Sequence, residues 1–164
     1  MNDKLKVEFI DTQLMDRVSA EGRKSPRGRM NYNFHRNESD PVNRLLNAMH
    51  RGSYLPVHRH LSPSRSESCV VLRGKVGITI YADDGTVVER RVVGAACDTV
   101  GVDIEAGVWH GLVVLEDDTV LMEVKQGPYA PISAENIAPW SPNVADVVAV
   151  ERFVKELEES FNND

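Results

Sequence analysis

Three histidines and one glutamate, in three short segments, are the residues best suited to chemistry. Val57-His58-Arg59-His60 holds two imidazoles, and because residues i and i+2 of an extended strand share a face, both should point the same way. Their backbones would lie about 7 Å apart, from which two nitrogens can meet one ion at about 2.0–2.1 Å. Glu67 follows a Ser-Pro-Ser turn, and His110 follows a turn at Gly107. Three imidazoles and one carboxylate inside a barrel predict a site for one divalent metal ion.

This predicted ligand set consists of His58, His60, Glu67 and His110. Nitrogen and oxygen donors in this ratio suit Fe, Mn, Ni or Zn, and the order of metal affinities does not choose between them. One or two coordination positions would remain for water or substrate. A redox role would need Fe or Mn, whereas a Lewis-acid role would suit Zn as well.

Residues of two other segments are candidates for the surroundings of the ion. The segment from Met30 to His35 alternates apolar and polar side chains, which is typical of a strand with one polar face. Asn33 and His35 share that polar face, where they would either belong to a substrate site or cap a loop and bond to backbone. His35 is the candidate for moving a proton. Arg44 shares a strand face with apolar neighbours, so it would either extend along the surface towards solvent or anchor an anion.

The remaining candidates lie close to the predicted ligands or on the last predicted strand. Cys69 should share the face of the carboxylate ligand, either near the ion or as a small packed core residue. Glu123 and Lys125 also share a face, and an exposed ion pair is the favoured interpretation over a catalytic pair. Trp109 should pack away from the site, and His50 should be a solvated loop residue.

Short β-rich runs, separated by Gly, Pro, Asp and Ser, fill the middle of the chain. Short strand-like runs that follow one another with almost no helix between them favour an antiparallel sandwich or barrel. Turns are predicted at Asp83-Asp84-Gly85 and at Glu116-Asp117-Asp118. The predicted runs are Val42–Met49, Tyr54–Val57, Glu67–Leu72, Val76–Tyr81, Thr86–Val93, Thr99–Ile104, Trp109–Leu115 and Thr119–Lys125.

A helix is predicted on each side of the β-rich region. The first covers Thr12–Arg23, with Thr12 or Asp11 as its N-cap. A proline-rich extended loop, Gln126–Pro142, precedes the second, which would run for about 17 residues from an Asn143 cap. It would dock on its own barrel or on a neighbouring subunit. Its apolar stripe would consist of Val147, Val150, Val154, Leu157 and Phe161.

Composition limits the classes of protein that this chain can belong to. Its 164 residues are 41% hydrophobic and 27% charged, which suits one folded domain, and its net charge is −6. An acidic chain is a poor nonspecific ligand for nucleic acid or anionic membranes. No apolar stretch is long enough to span a membrane, and no secretory signal is visible at the start. With only two cysteines, we expect a cytoplasmic protein with reduced thiols.

Glycines flank the predicted ligands at a characteristic spacing. The first group is Gly52, His58, His60, Glu67 and Gly74, and the second is Gly107 and His110. The two groups resemble the two motifs of the cupin superfamily, with two extra residues between His60 and Glu67. Glu105 stands where the second motif has proline, and Val114 where it has asparagine. The resemblance implies an antiparallel β-barrel (a double-stranded β-helix). It implies either a metal site or, as in sugar-epimerase cupins, a metal-free hydrogen-bonded cluster.

Five segments carry a narrower likeness: residues 25–35 (SPRGRMNYNFH), 40–46 (DPVNRLL), 58–60 (HRH), 70–74 (VVLRG) and 121–129 (LMEVKQGPY). They resemble the WbuC family of cupin-fold metalloproteins over roughly residues 8 to 131. That family is similar to proteins encoded among bacterial surface-polysaccharide genes. The resemblance implies a fold, a metal site and a biosynthetic context, and it leaves the reaction open.

These observations predict one domain in three parts: an N-terminal helix and basic loop (1–29), a cupin barrel (30–131), and a loop with a docked helix (132–164). The leading hypothesis is a metal-dependent isomerase, hydrolase or oxygenase of a small polar molecule, such as a sugar or sugar-nucleotide derivative. The alternative is a metal-dependent binding or sensing module without turnover, whose ion would be sealed by protein groups. We expect a homodimer without a nucleic-acid or membrane partner.

Overall fold

Two α-helices and eight β-strands make up the regular structure of residues 7–162, which a computed structural model describes. The ends of the predicted first and third parts, residues 1–6 and 163–164, lie outside the described residues, as does most of the segment searched for a secretory signal. The helices are Thr12–Lys24 (α1) and Val147–Glu159 (α2), with a 3-10 turn at Ala134–Asn136. The strands are Arg29–Asn33 (β1), Val42–Met49 (β2), Glu67–Arg73 (β3), Lys75–Tyr81 (β4), Val87–Gly94 (β5), Gly101–Ile104 (β6), Trp109–Val114 (β7) and Thr119–Gln126 (β8).

The strands form two antiparallel sheets, one of five strands in the order β1-β2-β8-β3-β6 and one of three in the order β5-β4-β7. This arrangement confirms the prediction of a mainly β, antiparallel fold with an N-terminal and a C-terminal helix. Both predicted turns are present, with Gly85 at φ +86° and Asp118 at φ +60°.

The predicted strand Tyr54–Val57 is wrong. Its residues form no ladder, because Pro56 has no N–H to donate and the N–H of Val57 donates instead to Ser141 Oγ. His58, one residue later, makes isolated bridges to His110 and to Ile137. The segment therefore crosses from one sheet towards the other rather than extending either.

Alternation along β2 separates an inner from an outer face of the five-stranded sheet. Asn43, Leu45 and Asn47 face a cavity between the two sheets, whereas Leu46 packs on the other side against α1. The register places Asn43 opposite Lys125 on β8 and Lys125 opposite Glu67 on β3. A single row of inward side chains therefore crosses three strands.

The first helix covers the outer face of the five-stranded sheet. Asp11 is its N-cap, and its side chain accepts a hydrogen bond from the N–H of Leu14. Leu14 and Val18 are buried against apolar side chains of the sheet, including Leu46 and Val120. The predicted helix is confirmed, and it extends one residue further, to Lys24.

The second helix is shorter than predicted, because Asp146 and not Asn143 is its N-cap. The Asp146 side chain accepts from Ala149 N, whereas Asn143 closes a preceding turn by accepting from Ala145 N. Val147 is consequently 61% exposed and does not belong to the packed stripe. The rest of the stripe docks on this chain's own three-stranded sheet around Val113. Neither helix in residues 7–162 combines the length and apolarity needed to cross a membrane.

Candidate metal centre

Three segments bring the four predicted ligands together. Glu67 is the first residue of β3, and His110 is the second residue of β7. His58 is joined to His110 by two backbone hydrogen bonds of 3.0 and 2.9 Å, which bring the His58–His60 segment beside β7. Glu67 Oε1 lies 2.9 Å from His110 Nε2, and Glu67 Oε2 lies 3.2 Å from His60 Nε2. One ligand atom from each of the four residues, hereafter the histidine–glutamate cluster, lies within 4.8 Å of the others.

Backbone carbonyls orient two of the imidazoles. His58 Nδ1 donates to the Pro56 carbonyl and His110 Nδ1 donates to the Val108 carbonyl, each at 2.9 Å. A histidine that donates its Nδ1 proton in this way keeps a lone pair on Nε2, which is the usual arrangement of a metal ligand.

The Nε2 atom of His110 has no hydrogen-bond partner among the described residues although it is buried and close to Glu67. A lone pair and a carboxylate oxygen at 2.9 Å repel each other unless a proton or a metal cation lies between them. The donor set and this buried atom therefore fit a divalent ion.

The charges of the cluster are also suited to a cation. Burial alone would raise the pKa of Glu67, but its interactions with His110, His60 and Lys125 outweigh burial and lower that pKa. Burial, with the neighbouring His110, lowers the pKa of His58 to about 3. At neutral pH the cluster therefore offers a carboxylate and, at His58, a neutral imidazole, so a metal displaces no proton there.

Lys125 and Glu123 lie beside the cluster, and their predicted ion pair is present, but the prediction that the pair is exposed is wrong. Lys125 Nζ is 2.8 Å from Glu123 Oε1 and 3.3 Å from Glu67 Oε2, and the lysine and Glu123 side chains are only 18% and 16% exposed. Both face inward because they alternate with outward residues of β8. Burial would lower the pKa of Lys125, but the charges of Glu123 and Glu67 outweigh it and raise that pKa.

Cys69 lies on the same inner face, two residues after Glu67, and lines the cavity. Its thiol is free. Burial, followed by the charges of Glu123 and Glu67, raises the pKa of this thiol well above its usual range. Cys69 is therefore a neutral lining group at physiological pH, and it lies outside the set of four side chains that converge.

The cluster opens onto a cavity of about 610 Å³ between the sheets, a size typical of small-molecule sites. Asn33 and His35 both line this cavity, and His35 also bonds to backbone, since its Nδ1 accepts from the N–H of Arg44 at 3.1 Å. The Arg44 side chain is exposed and does not line the cavity, so the prediction that it lies beside the site is wrong. Alternation along β2 turns it outward between inward-facing Asn43 and Leu45.

Arg27, Arg29 and Asn31 also line the cavity, and sequence reasoning missed two further polar lining residues, Asn43 and Asn47. The signal available was alternation in the predicted strand Val42–Met49, whose second, fourth and sixth residues share a face that is largely polar. Such a face on a strand that is otherwise apolar indicates either solvent or a polar cavity.

Two predictions about the remaining aromatic and histidine side chains have opposite outcomes. Trp109 packs away from the cluster as predicted, with Arg59 4.2 Å above its ring and Asp83 accepting from its Nε1. His50 is not solvated: it is 6% exposed and lies against Ser19 of α1, 3.0 Å from its carbonyl. The loop that contains His50 follows β2, and α1 docks over that end of β2 and buries the loop.

A family model described as "Domain of unknown function (DUF6016)" matches residues 10–93, just over half of the chain. No curated protein matches the chain in sequence.

Several solved structures resemble the chain in fold, and KdgF and CapF among them are cupin-fold proteins. KdgF from Halomonas sp. has a TM-score of 0.50 at 16% identity, over 65% of this chain and 83% of that one. TT1209 from Thermus thermophilus has a TM-score of 0.51 at 17% identity, over 73% and 97%. The capsular polysaccharide assembling protein CapF from Staphylococcus aureus has a TM-score of 0.50 at 21% identity, over 62% of this chain and 27% of CapF. The fold is therefore that of the cupins.

Proposed function

The chain belongs to the DUF6016 family, and we propose that this member is a metal-dependent enzyme that acts on a small polar molecule. The histidine–glutamate cluster would hold one divalent ion: Zn, Fe, Mn or Ni. A divalent ion bound there would supply a Lewis acid that polarises an oxygen atom of the molecule. The sequence resemblance to the WbuC family, and a fold shared with a capsular polysaccharide assembling protein, support a sugar or sugar-nucleotide derivative from surface-polysaccharide biosynthesis.

The observation that carries the proposal is the position of the cluster in the wall of the cavity. All four of its side chains line a space of about 610 Å³, so protein groups do not seal it on every side. A site for a purely structural ion is closed, whereas a catalytic ion needs a position that a substrate can occupy. This geometry favours an enzyme over a module that binds metal without turnover.

The chain itself supplies groups that can hold or move a proton. Lys125 and Glu123 adjoin the cluster directly through the contact of Lys125 Nζ with Glu67, at 3.3 Å. Lys125 can hold an anionic oxygen of the molecule, and Glu123 can accept a proton from it. His35, the candidate from the sequence, lines the same cavity but is not among the converging ligands.

Metal analysis of protein purified without a metal-binding tag tests the first half of the proposal. We expect about one divalent ion per chain in the wild type, since the four residues form one cluster. His60→Ala should lose the ion, whereas His35→Ala is the matched control and should keep it. Equal metal content and affinity in the wild type and His60→Ala would contradict the proposal.

Turnover is the test of the second half. The metal-loaded protein is incubated with sugar phosphates, uronates and nucleotide sugars, and the mixtures are followed by NMR. We expect a change in one of these compounds that disappears in metal-free protein and in Lys125→Met. Saturable binding to metal-loaded protein, without conversion, would favour the binding module instead.

A further inference from the structure

Four asparagines line the part of the cavity formed by β1 and β2. Asn43 and Asn47 are only 2% and 9% exposed. Both amide atoms of Asn43, and Oδ1 of Asn47, are buried without a hydrogen-bond partner among the described residues. Asn31 lies opposite Asn47 in the ladder, and Asn33 follows two residues later on the same face, where both side chains are more exposed.

Buried amides without partners are unfavourable, so these side chains have a use that the folded chain alone does not satisfy. Asn136 shows how the same chain treats a structural asparagine. It is 4% exposed, and its amide donates to the Ser62 carbonyl at 2.9 Å and accepts from Leu61 N at 3.3 Å. The contrast separates an asparagine that holds loops together from one that faces an open space.

The unpartnered amides lie within reach of a molecule held at the histidine–glutamate cluster. Asn43 is opposite Lys125, which is opposite Glu67. Two strand spacings of about 4.8 Å put the backbones of Asn43 and Glu67 about 10 Å apart. The intervening Lys125 charge is already matched by Glu123 and Glu67. The Asn43 end of this row therefore offers neutral hydrogen-bonding groups rather than a charge.

An amide places a donor and an acceptor side by side, and a hydroxyl group is both. Vicinal hydroxyls match such a pair, whereas a carboxylate or phosphate would satisfy only the amide N–H groups. Between Asn43 and Asn47, Leu45 faces the same cavity. It offers an apolar surface to the C–H groups of a ring.

We propose that Asn43 and Asn47 form a subsite for the hydroxyl groups of a polyhydroxylated molecule, with Asn31 and Asn33 at its edge. This assignment rests on the proposed function, since the same molecule would reach the ion with its reacting oxygen. It adds a named set of side chains that select a sugar-like ligand.

Binding of free sugars to metal-loaded protein tests the subsite. The probes are D-glucose, D-galactose, D-mannose, L-rhamnose and N-acetylglucosamine, measured by saturation-transfer NMR against wild type and Asn43→Leu. We expect at least one saturable ligand, and at least about tenfold weaker binding to Asn43→Leu. Its metal content should equal that of the wild type. A wild type that takes up no metal would refute the proposed function, an outcome distinct from any failure of the subsite.

Thermal unfolding supplies the structural control. Asn43→Leu replaces an unpartnered amide by an apolar group of similar size, so its melting temperature should stay level or rise. Asn136→Leu breaks satisfied hydrogen bonds and should melt lower. The subsite is overturned if no probe binds the wild type, if Asn43→Leu binds equally well or loses the ion, or if it melts as low as Asn136→Leu.

Discussion

Gly77 provides a sharp test of how α2 docks. A Cβ built on Gly77 would lie 2.5 Å from Cε2 and 2.6 Å from Cζ of Phe161, just after the helix. Gly77 lies on β4, and its φ is not in the left-handed region, so alanine suits its backbone. Gly77→Ala therefore tests one contact, that of strand β4 with the Phe161 ring.

The magnitudes follow from packing. Overpacking of this kind costs about 1–3 kcal/mol, and Phe161→Ala should cost about 3–5 kcal/mol because the ring is 9% exposed. In the Phe161→Ala background the added methyl group fills vacated space, and alanine is preferred over glycine in a strand by about 0.5–1 kcal/mol. The second substitution should then cost nothing, which gives a coupling energy of about 1–3 kcal/mol.

Urea unfolding of the wild type, both single variants and the double variant measures this coupling. Each kcal/mol corresponds to about 2–4 °C in melting temperature for a protein of this size, so calorimetry serves as a second readout. Additive costs in the double variant would refute the packing of Phe161, just after α2, on β4 of the same chain.

Three further outcomes are expected. Glu67→Gln should weaken metal binding by more than about 100-fold, since even residues behind a ligand contribute about 10- to 100-fold; unchanged affinity in a metal titration would exclude it as a ligand. Gly74→Ala should lower the unfolding free energy by at least about 2 kcal/mol, because φ is +73° and the Cβ would meet the Thr119 backbone at 3.0 Å; a cost near zero in urea would contradict this. The Ser19 hydroxyl, followed by Arg23, lowers the pKa of Asp118, so its stabilisation is present above pH 3.8 and is lost as pH falls through the lowered value. Asparagine tolerates the left-handed backbone at position 118. Asp118→Asn should therefore make the unfolding free energy depend less on pH below 3.8, and an unchanged pH dependence in acid would contradict this role of Asp118.

The predictable part of the site was the part governed by local spacing. His58 and His60 are two residues apart, and alternation alone turns them to one side, whichever sheet they join. The turn residue Gly107, at φ +84°, fixes the entry of the strand that carries His110. These constraints act over a few residues, so the sequence expresses them directly.

The failures come from tertiary packing. The burial of His50 depends on the packing of α1 against it, and the burial of Lys125 depends on which face of β8 lines the cavity. Alternation shows that Glu123 and Lys125 share a face but not whether that face meets solvent. At α2, Asn143 and Asp146 are both good caps, and the turn between them decided which one starts the helix.

The polar cavity limits apolar burial between the sheets, and the two helices add apolar burial outside it. Paired sheets ordinarily bury apolar side chains between them. Here an apolar cluster around Val71 and Ile78 fills part of that space, whereas charged and amide groups line the cavity in another part. Further apolar burial comes from the outer faces, where α1 packs around Leu46 and α2 around Val113. No α1 or α2 residue among the described positions lines the cavity. The helices therefore stabilise the sheets without entering the site, so variants at Gly77 should change unfolding free energy and leave metal affinity intact.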